Sequence, residues 1–314
     1  MSGTGTAGFE VVDLQVHAPG PVLDWDGDTD DVRSRVLQES MWQMMDAVGV
    51  DAVVLNPVAD ETFALNLVAS DPGRFAINKM LRVHGARVSY GVTPDVGAPD
   101  ILERVGAAAA EPGVKAFRAF ISARNSPEQH DIFEAGGYDA AFAACEKVGI
   151  PLRLYVSGCP EDAATVARAY PDLQILVDHF GLPQPPLAGV DDVGWEGLDA
   201  VLALARYANI ALVLTAAPAL SRQSYPYTDI WGPVERVLET FGLERVAWAS
   251  DISRIRGKTA WQDPLPSSSE YRGRHTYMES LAFWRYTDRL SASDKAKVLG
   301  QTARRLLNWP RPRA

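Results

Sequence analysis

Short apolar, β-branched runs alternate with longer stretches of helical periodicity along most of the chain. Such alternation is typical of βα units, which build a parallel sheet with helices packed on it. Eight such units predict a closed (β/α)8 barrel of the TIM type, an α/β fold. The pattern predicts strands at residues 10–17, 51–57, 87–93, 113–120, 151–157, 173–179, 210–216 and 245–251.

Glycine residues support this regular alternation. In "EKVGIPLRLYV" and "ETFGLERVAWA" a glycine follows a helical stretch, and an apolar run comes directly after it. Glycine readily adopts the left-handed conformation that ends many helices, so each glycine predicts a helix end before a strand. The third strand has two candidate runs, because "RFAINKML" at 74–81 competes with "RVSYGVTP" at 87–94.

The chain of 314 residues is predicted to form a single domain. Barrels of this type reach that length, and no linker-like segment divides the sequence. We expect residues 1–8 to be a flexible tail and residues 9–314 to form the barrel. The polar stretch 252–276 is longer than most loops and contains Trp261 and His275. We interpret it as a lid that places these two side chains against a substrate.

Composition narrows the possible partners and location. The formal net charge is −10, which argues against nucleic acid, because phosphate binding needs a basic surface. No apolar run approaches the roughly 18 residues of a membrane span, and the first residues do not resemble a signal peptide. Cys145 and Cys159 offer neither a zinc spacing nor a disulfide framework. We expect a cytoplasmic protein, either a monomer or a homo-oligomer.

Polar residues recur where the predicted strands end, which is where barrels of this type carry their active sites. In a period-2 strand residues 13, 15 and 17 share one face, so Asp13 is expected to anchor the strand beside Gln15 and His17. Asp178 precedes His179 and is therefore expected to face away from the barrel interior. The candidate site residues at these strand ends are Gln15, His17, Arg118, Arg124, Tyr155, His179, Arg222 and Asp251.

Several motifs together resemble the amidohydrolase superfamily, in its amidohydrolase-2 branch. They are "DLQVH" in the first strand, "DHFG" after the sixth, "SD" after the eighth, and the closing "VLGQTARRLLNWP". The similarity runs from about residue 9 to 310. The resemblance implies that the closing motif is a helix that seals the barrel.

Metal-dependent members of this superfamily carry an H-x-H pair on the first strand, further histidines on the middle strands and an aspartate on the last. Here Gln15 replaces the first histidine, and the fifth strand offers Tyr155 without a histidine. His17, His179 and Asp251 remain as possible ligands. The resemblance therefore favours a site without cofactor, and the alternative is one divalent metal, zinc or manganese, on these three residues.

Within that branch the chain resembles the metal-independent 2-pyrone-4,6-dicarboxylate lactonase group. Opening a lactone needs a base for water and donors to the carbonyl oxygen, so Asp251 is expected to activate water and His17, His179 and Gln15 to donate to the developing oxyanion. The resemblance implies that arginines and a tyrosine at the strand ends hold a small anionic cyclic ester, with the arginines on its carboxylates, and the lid interpretation adds two residues from the 252–276 stretch. These substrate-binding candidates are Arg118, Arg124, Tyr155, Arg222, Trp261 and His275.

The lactonase group has histidine at the position of Gln15, and this departure leaves other functions open. One alternative is a metal-dependent decarboxylase or hydratase of the same branch. The others are a lactone isomerase, or an inactive homologue that binds a ligand without turning it over.

Overall fold

The computed structural model describes residues 8–17, 43–56, 87–93, 95–111, 113–183, 194–252 and 275–311, and of His17 only the backbone. Most of the expected tail, and the expected lid from residue 253 to 274 with Trp261, lie outside the described residues.

Eight parallel strands form one sheet in which each strand pairs with the next along the chain. The (β/α)8 barrel and all eight predicted strands are confirmed. The third strand is the run at 87–94, whereas 74–81 lies outside the described residues. The strands are β1 Val12–His17, β2 Ala52–Asn56, β3 Val88–Val92, β4 Val114–Phe120, β5 Leu152–Tyr155, β6 Ile175–Val177, β7 Ile210–Thr215 and β8 Val246–Ala249.

The end of β8 meets β1, so that the sheet curls into a nearly closed barrel. The backbone N–H of Asp251 donates to the carbonyl of Gln15 at 2.9 Å. Asp13 adds a side-chain connection, because its carboxylate accepts from the backbone N–H of Ser250 at 2.9 Å and from the hydroxyl of Tyr277, also at 2.9 Å. The first and last strands are thus tied together at the end where the candidate site lies.

Helical segments follow most of the strands. Residues 43–48 are helical. The complete α-helices are α1 Ile101–Ala110, α2 Pro127–Glu134, α3 Asp139–Val148, α4 Pro160–Ala169, α5 Leu198–Leu202, α6 Trp231–Phe241, α7 Tyr277–Arg285, α8 Ala292–Ala296 and α9 Thr302–Leu306. A π-helical segment, Lys297–Gln301, joins α8 to α9. In the part of the chain that the structure describes, no helix has the length and apolar character needed to cross a bilayer.

Both glycines predicted to end helices do so with positive φ. Gly149 ends α3 at φ 75°, and Gly242 ends α6 at φ 74°. Strand β5 begins within three residues of Gly149, while a 3-10 turn, Leu243–Arg245, separates Gly242 from β8. The positions support the sequence prediction, because β-carbon-bearing residues strain this backbone conformation.

The closing motif seals the barrel at the amino-terminal ends of the strands. Ala303, Leu306, Leu307 and Trp309 pack in one buried cluster with apolar residues of the barrel interior, among them Val12. A β-carbon at Gly300 would collide with the backbone oxygen of Glu10, immediately before β1. Glycine is needed there because the π-helical segment lies against the chain entering β1.

Strand β1 does not keep the alternation that its sequence predicts. Its pairing with β2 shifts between Asp13 and Val16, which marks a β-bulge. Val12 and Leu14 belong to the interior cluster, but Val16 packs in the layer between strands and helices. The expectation that Asp13 shares a face with Gln15 is therefore wrong. The bulge leaves Asp13 bonded to Ser250 and Tyr277 while Gln15 reaches the interior residues described below.

Candidate active site

A buried polar network lies at the carboxyl ends of the strands, inside the barrel. Each of its members is at most 2% exposed. Buried charges at this density require mutual pairing, since each would otherwise bear a large desolvation cost. The members are Gln15, Arg118, Arg153, Asp178, His179 and Asp251.

Asp178 is the point where two arginines meet. One oxygen of its carboxylate accepts from Nε of Arg118 at 3.0 Å. The other accepts from Nε of Arg153 at 2.9 Å and also from Nη2 of the same residue. Burial alone would raise the pKa of the Asp178 carboxyl, but the two adjacent guanidiniums hold it below its ordinary value. Asp178 is therefore ionised at neutral pH.

Arg153 connects this ion pair to β1. Its Nη1 donates to the backbone carbonyl of Leu14 at 2.6 Å, and its Nη2 donates to Oε1 of Gln15 at 2.7 Å. The guanidinium is thus held on three sides by Asp178, Leu14 and Gln15. Its charge and orientation are both constrained by buried partners.

Gln15 continues the network to the histidine after β6. Its amide nitrogen lies 3.0 Å from Nε2 of His179. The same imidazole nitrogen is 3.7 Å from Oδ2 of Asp251. An amide, an imidazole and a carboxylate therefore surround one small region at the end of β1, β6 and β8.

Tyr155 forms one wall of this region. Its ring stands edge-on to the imidazole of His179, with centroids 5.4 Å apart and an interplanar angle of 89°. Its hydroxyl accepts a hydrogen bond from the side chain of Asn125, in the turn after β4. The phenol is therefore oriented by a neighbouring loop and packed against the imidazole.

Left-handed backbone occurs just after three strands at this end of the barrel, and two of the three residues belong to the network. His179 after β6, Ala216 after β7 and Asp251 after β8 have φ values of 55°, 52° and 52°. Such a conformation costs free energy in residues that carry a β-carbon, and it persists mainly where function requires it. Because the chain turns at His179, Asp178 and His179 both contact the network. The expectation that Asp178 faces away from the interior is wrong for that reason.

His275 is completely buried at the start of the segment that leads into α7. Neither ring nitrogen has a hydrogen-bond partner in the described part of the chain. Burial lowers the pKa of this imidazole to about 4, although the carboxylates of Glu279 and Asp251 favour the protonated form. A neutral imidazole with two unbonded nitrogens lies close enough to Asp251 to sense its charge.

Two further predicted residues, Arg124 and Arg222, are not members of this network. Arg124, in the turn after β4, and Arg222, after β7, are exposed, and the backbone N–H of Arg222 donates to Asp229 at 2.8 Å. The network described above does not include either of them. His17 contributes its backbone to the end of β1, and Trp261 lies outside the described residues.

The sequence prediction overlooked Arg153 and misassigned Asp178. Arg153 stands between two leucines in "PLRLYV", and it is two positions before Tyr155. The strand period of two therefore places both side chains on the same face, so a charged residue there was a readable signal. The contact of Asp178 depends on the turn at His179, which no sequence pattern indicated.

The described members of the predicted ligand set, His179 and Asp251, do not form part of a three-ligand cluster. In the portion of the chain with described side chains, no histidine, cysteine or carboxylate joins His179 and Asp251 in a set of three ligand atoms within 4.8 Å of one another. The side chain of His17 is outside that portion. Two buried guanidiniums, Arg118 and Arg153, occupy the same network, and positive charges at short range oppose a divalent cation. Among the described side chains, His179 and Asp251 are the candidate ligands, and these two alone do not complete a metal site.

Several proteins of known structure have a similar fold. A solved structure from Pseudomonas putida, described provisionally as a 2-pyrone-4,6-dicarboxylic acid hydrolase, is 16% identical and matches 97% of this chain and 100% of its own, with a TM-score of 0.62. A 4-oxalomesaconate hydratase from Rhodopseudomonas palustris is 14% identical and matches 95% of each chain, with a TM-score of 0.61.

A third structure, from Acinetobacter baumannii, is described as a probable 2-pyrone-4,6-dicarboxylic acid hydrolase with citric acid bound. It is 13% identical and matches 95% of this chain and 99% of its own, with a TM-score of 0.58. At these identities the likeness concerns the fold. No curated protein sequence matches the chain. The family model described as Amidohydrolase matches residues 12–309, nearly the whole length. The chain therefore belongs to the amidohydrolase family, in its amidohydrolase-2 branch.

Proposed function

We propose that this protein is a hydrolase that opens a small carboxylated lactone without a metal ion. Membership of the amidohydrolase family indicates a hydrolytic enzyme. The proposal of a carboxylated substrate rests on the hydrogen bonding of Arg118. Its Nε is bonded to Asp178, but its buried Nη1 has no hydrogen-bond partner among the described residues. A buried cationic donor in that state favours an anionic ligand.

Arg118 is also shaped for a carboxylate. Its guanidinium lies over the ring of Phe120, 4.4 Å from the ring centroid, so packing and the Asp178 bond together hold the plane in one orientation. A planar fork of this kind binds a carboxylate with defined geometry. Arg124 and Arg222 follow β4 and β7 at the same end of the barrel, and their exposed guanidiniums suit the outer part of a substrate with more than one acidic group.

Asp251 is the proposed general base. Its carboxylate is buried at the end of β8, where a water molecule could be deprotonated for attack on the lactone carbonyl. The amide of Gln15 has one N–H directed at His179 and a second that can donate to the developing oxyanion. His275 presents further unbonded ring nitrogens near Asp251 and is proposed to contact the substrate.

Two features support a reaction without a metal: the contact that Gln15 makes, and the positive charge of the buried arginines. Arg153 donates to the oxygen of Gln15, at the strand position where metal-binding members carry a ligand. Arg118 and Arg153 supply the positive charge that a metal would otherwise provide. Opening a lactone whose leaving group is a stabilised enolate needs little acid assistance, so hydrogen-bond donors suffice.

The structural neighbours agree with a substrate that carries several carboxylates. Two of them are described as pyrone dicarboxylic acid hydrolases, and one of these has citric acid bound. The third is described as a hydratase, and hydration is one of the alternative reactions for this chain. The natural substrate of this chain is proposed only as a class, a cyclic ester with at least one carboxylate.

The proposal is tested by turnover of a panel of carboxylated lactones. We expect hydrolysis by the wild-type protein and a loss of kcat of about 100-fold or more in Asp251→Asn, the usual effect of removing a general base. Asp199→Asn is the matched control, because this exposed aspartate pairs with Arg236 on the surface. Equal activity of Asp251→Asn and the control would contradict the proposed base. Water addition to an unsaturated acid instead of lactone opening would favour the hydratase.

A further inference from the structure

We infer that Arg153 is a positioning residue that acts through Gln15 to hold His179 in a single tautomer. In this tautomer Nδ1 carries the ring proton and Nε2 is a hydrogen-bond acceptor. The inference concerns the resting protein, so it does not depend on the proposed reaction. It follows from the donor and acceptor chemistry of three buried side chains in a row.

The first step is the orientation of the Gln15 amide. A guanidinium has only donors, and Nη2 of Arg153 lies 2.7 Å from one end of that amide. The end that faces Arg153 must therefore be the oxygen, Oε1. Turning the amide over would bring its NH2 group against the guanidinium and leave donors facing each other in a buried site, which is costly.

The second step deduces the hydrogen-bond role of His179 from the orientation of the Gln15 amide. Once Oε1 faces Arg153, the NH2 group of Gln15 faces His179, 3.0 Å from Nε2. An amide nitrogen can only donate, so Nε2 must accept. Hydrogen positions on imidazoles are inferred from partners, and the inference rests on Gln15 as the hydrogen-bond partner of Nε2.

Arg153 itself has little freedom to change this arrangement. Its Nη1 donates to the carbonyl of Leu14 at 2.6 Å, and its Nε donates to Asp178 at 2.9 Å. The side chain is completely buried. The backbone of β1 and the ion pair after β6 thus set the direction from which Gln15 is held.

The consequence concerns Asp251, whose Oδ2 is 3.7 Å from the same Nε2. A proton on Nε2 would point toward this carboxylate and weaken it as a base. With a lone pair there, the histidine presents no donor to Asp251 from that nitrogen. It also follows that His179 does not donate to an oxyanion through Nε2, so the amide of Gln15 is the donor on this side of the site.

The test is NMR spectroscopy of the whole protein with 15N-labelled histidine, at neutral pH. The chain has five histidines, and the signals of His179 are identified by their loss in His179→Asn. We expect the Nε2 resonance of wild type to have the chemical shift of an unprotonated nitrogen and Nδ1 that of a protonated one. A protonated Nε2 in wild type would overturn the inference without any variant.

Gln15→Glu reverses the expected result while keeping the size of the side chain. The introduced carboxylate has no proton to give, because Arg153 keeps it ionised, so Nε2 should change from acceptor to donor and become protonated. Gln174→Glu is the matched control, since Gln174 bonds to the carbonyls of Ile175 and Asn209 at the other end of β6. An Nε2 signal that is unprotonated in both variants would show that Gln15 does not set the tautomer.

Discussion

Arg153 and Asp178 form a fully buried ion pair between β5 and the end of β6. The sequence analysis placed neither side chain in the candidate site, but both lie at its centre. The carboxylate is shared with Arg118, and the guanidinium reaches Gln15, so this pair joins Arg118, the proposed substrate anchor, to the residues around Asp251.

Asp178→Asn should destabilise the protein strongly. The change removes the only charge that pairs directly with two buried guanidiniums in the described network, and breaking a buried pair in this way costs about 3 to 5 kcal/mol. The measurement is the free energy of unfolding in urea. Asp199→Asn breaks a surface pair and should cost less than about 1 kcal/mol. A loss at Asp178 no larger than at Asp199 would mean that the network contributes little to folding.

Arg118→Met should impair substrate binding more than the chemical step. We expect KM to rise strongly and kcat/KM to fall by about 10- to 1000-fold, as for a lost charge-assisted anchor. Steady-state kinetics on a carboxylated lactone measure this. Arg236→Met, which removes an exposed guanidinium, serves as control. A kcat/KM within twofold of wild type would remove Arg118 from the binding site.

His275 should make the protein sensitive to acid. Burial lowers its pKa from 6.5 to about 4. Between these two pH values the unfolded state binds a proton on this imidazole, whereas the folded state does not. Its contribution to the free energy of unfolding is therefore lost as pH falls from about 6.5 to 4, by up to about 3 kcal/mol.

His275→Leu removes this titration and an imidazole without partners, so it should reduce the loss of stability between pH 6.5 and 4. If His275 also contacts substrate, the same variant loses turnover at pH 7. Urea unfolding at several pH values, beside lactone kinetics, measures both effects. A variant whose stability follows pH exactly as wild type does would contradict the assigned ionisation of His275.

Asp13 should have the opposite pH dependence. Burial raises its pKa to about 6 despite four hydrogen-bond donors from Gln15, Ser250 and Tyr277. The folded state therefore binds a proton between about pH 4 and 6 that the unfolded state has released. The difference in unfolding free energy between wild type and Asp13→Asn should fall by about 3 kcal/mol as pH rises through that range. A difference that rises with pH would show that the donors outweigh burial.

The fold and part of the site could be predicted because they depend on local patterns. Apolar runs and helix-ending glycines such as Gly149 mark the strands, and strand order in a barrel then brings Gln15, His179 and Asp251 to one end. These three predictions needed only the knowledge that each residue lies near the carboxyl end of a strand.

The rest of the site depends on departures from regular geometry. The bulge in β1 separates Asp13 from Gln15, and the left-handed backbone at His179 turns Asp178 into the network. Both departures are tertiary outcomes, since no glycine or proline in these positions indicates them. The two arginines predicted at the end of β4 also differ in burial. Arg118 lies within β4 and is buried in the network, whereas Arg124 lies in the turn after the strand and is exposed.

The central claim is lactone hydrolysis that needs no metal, and it is tested by turnover of a carboxylated lactone after treatment with a strong chelator. Metal content is measured by elemental analysis in the same sample, from protein purified without a His-tag. We predict unchanged kcat/KM in protein that contains far less than one metal ion per chain. Loss of activity on chelation, with recovery on adding zinc or manganese, would contradict the claim and favour the metal-dependent alternative.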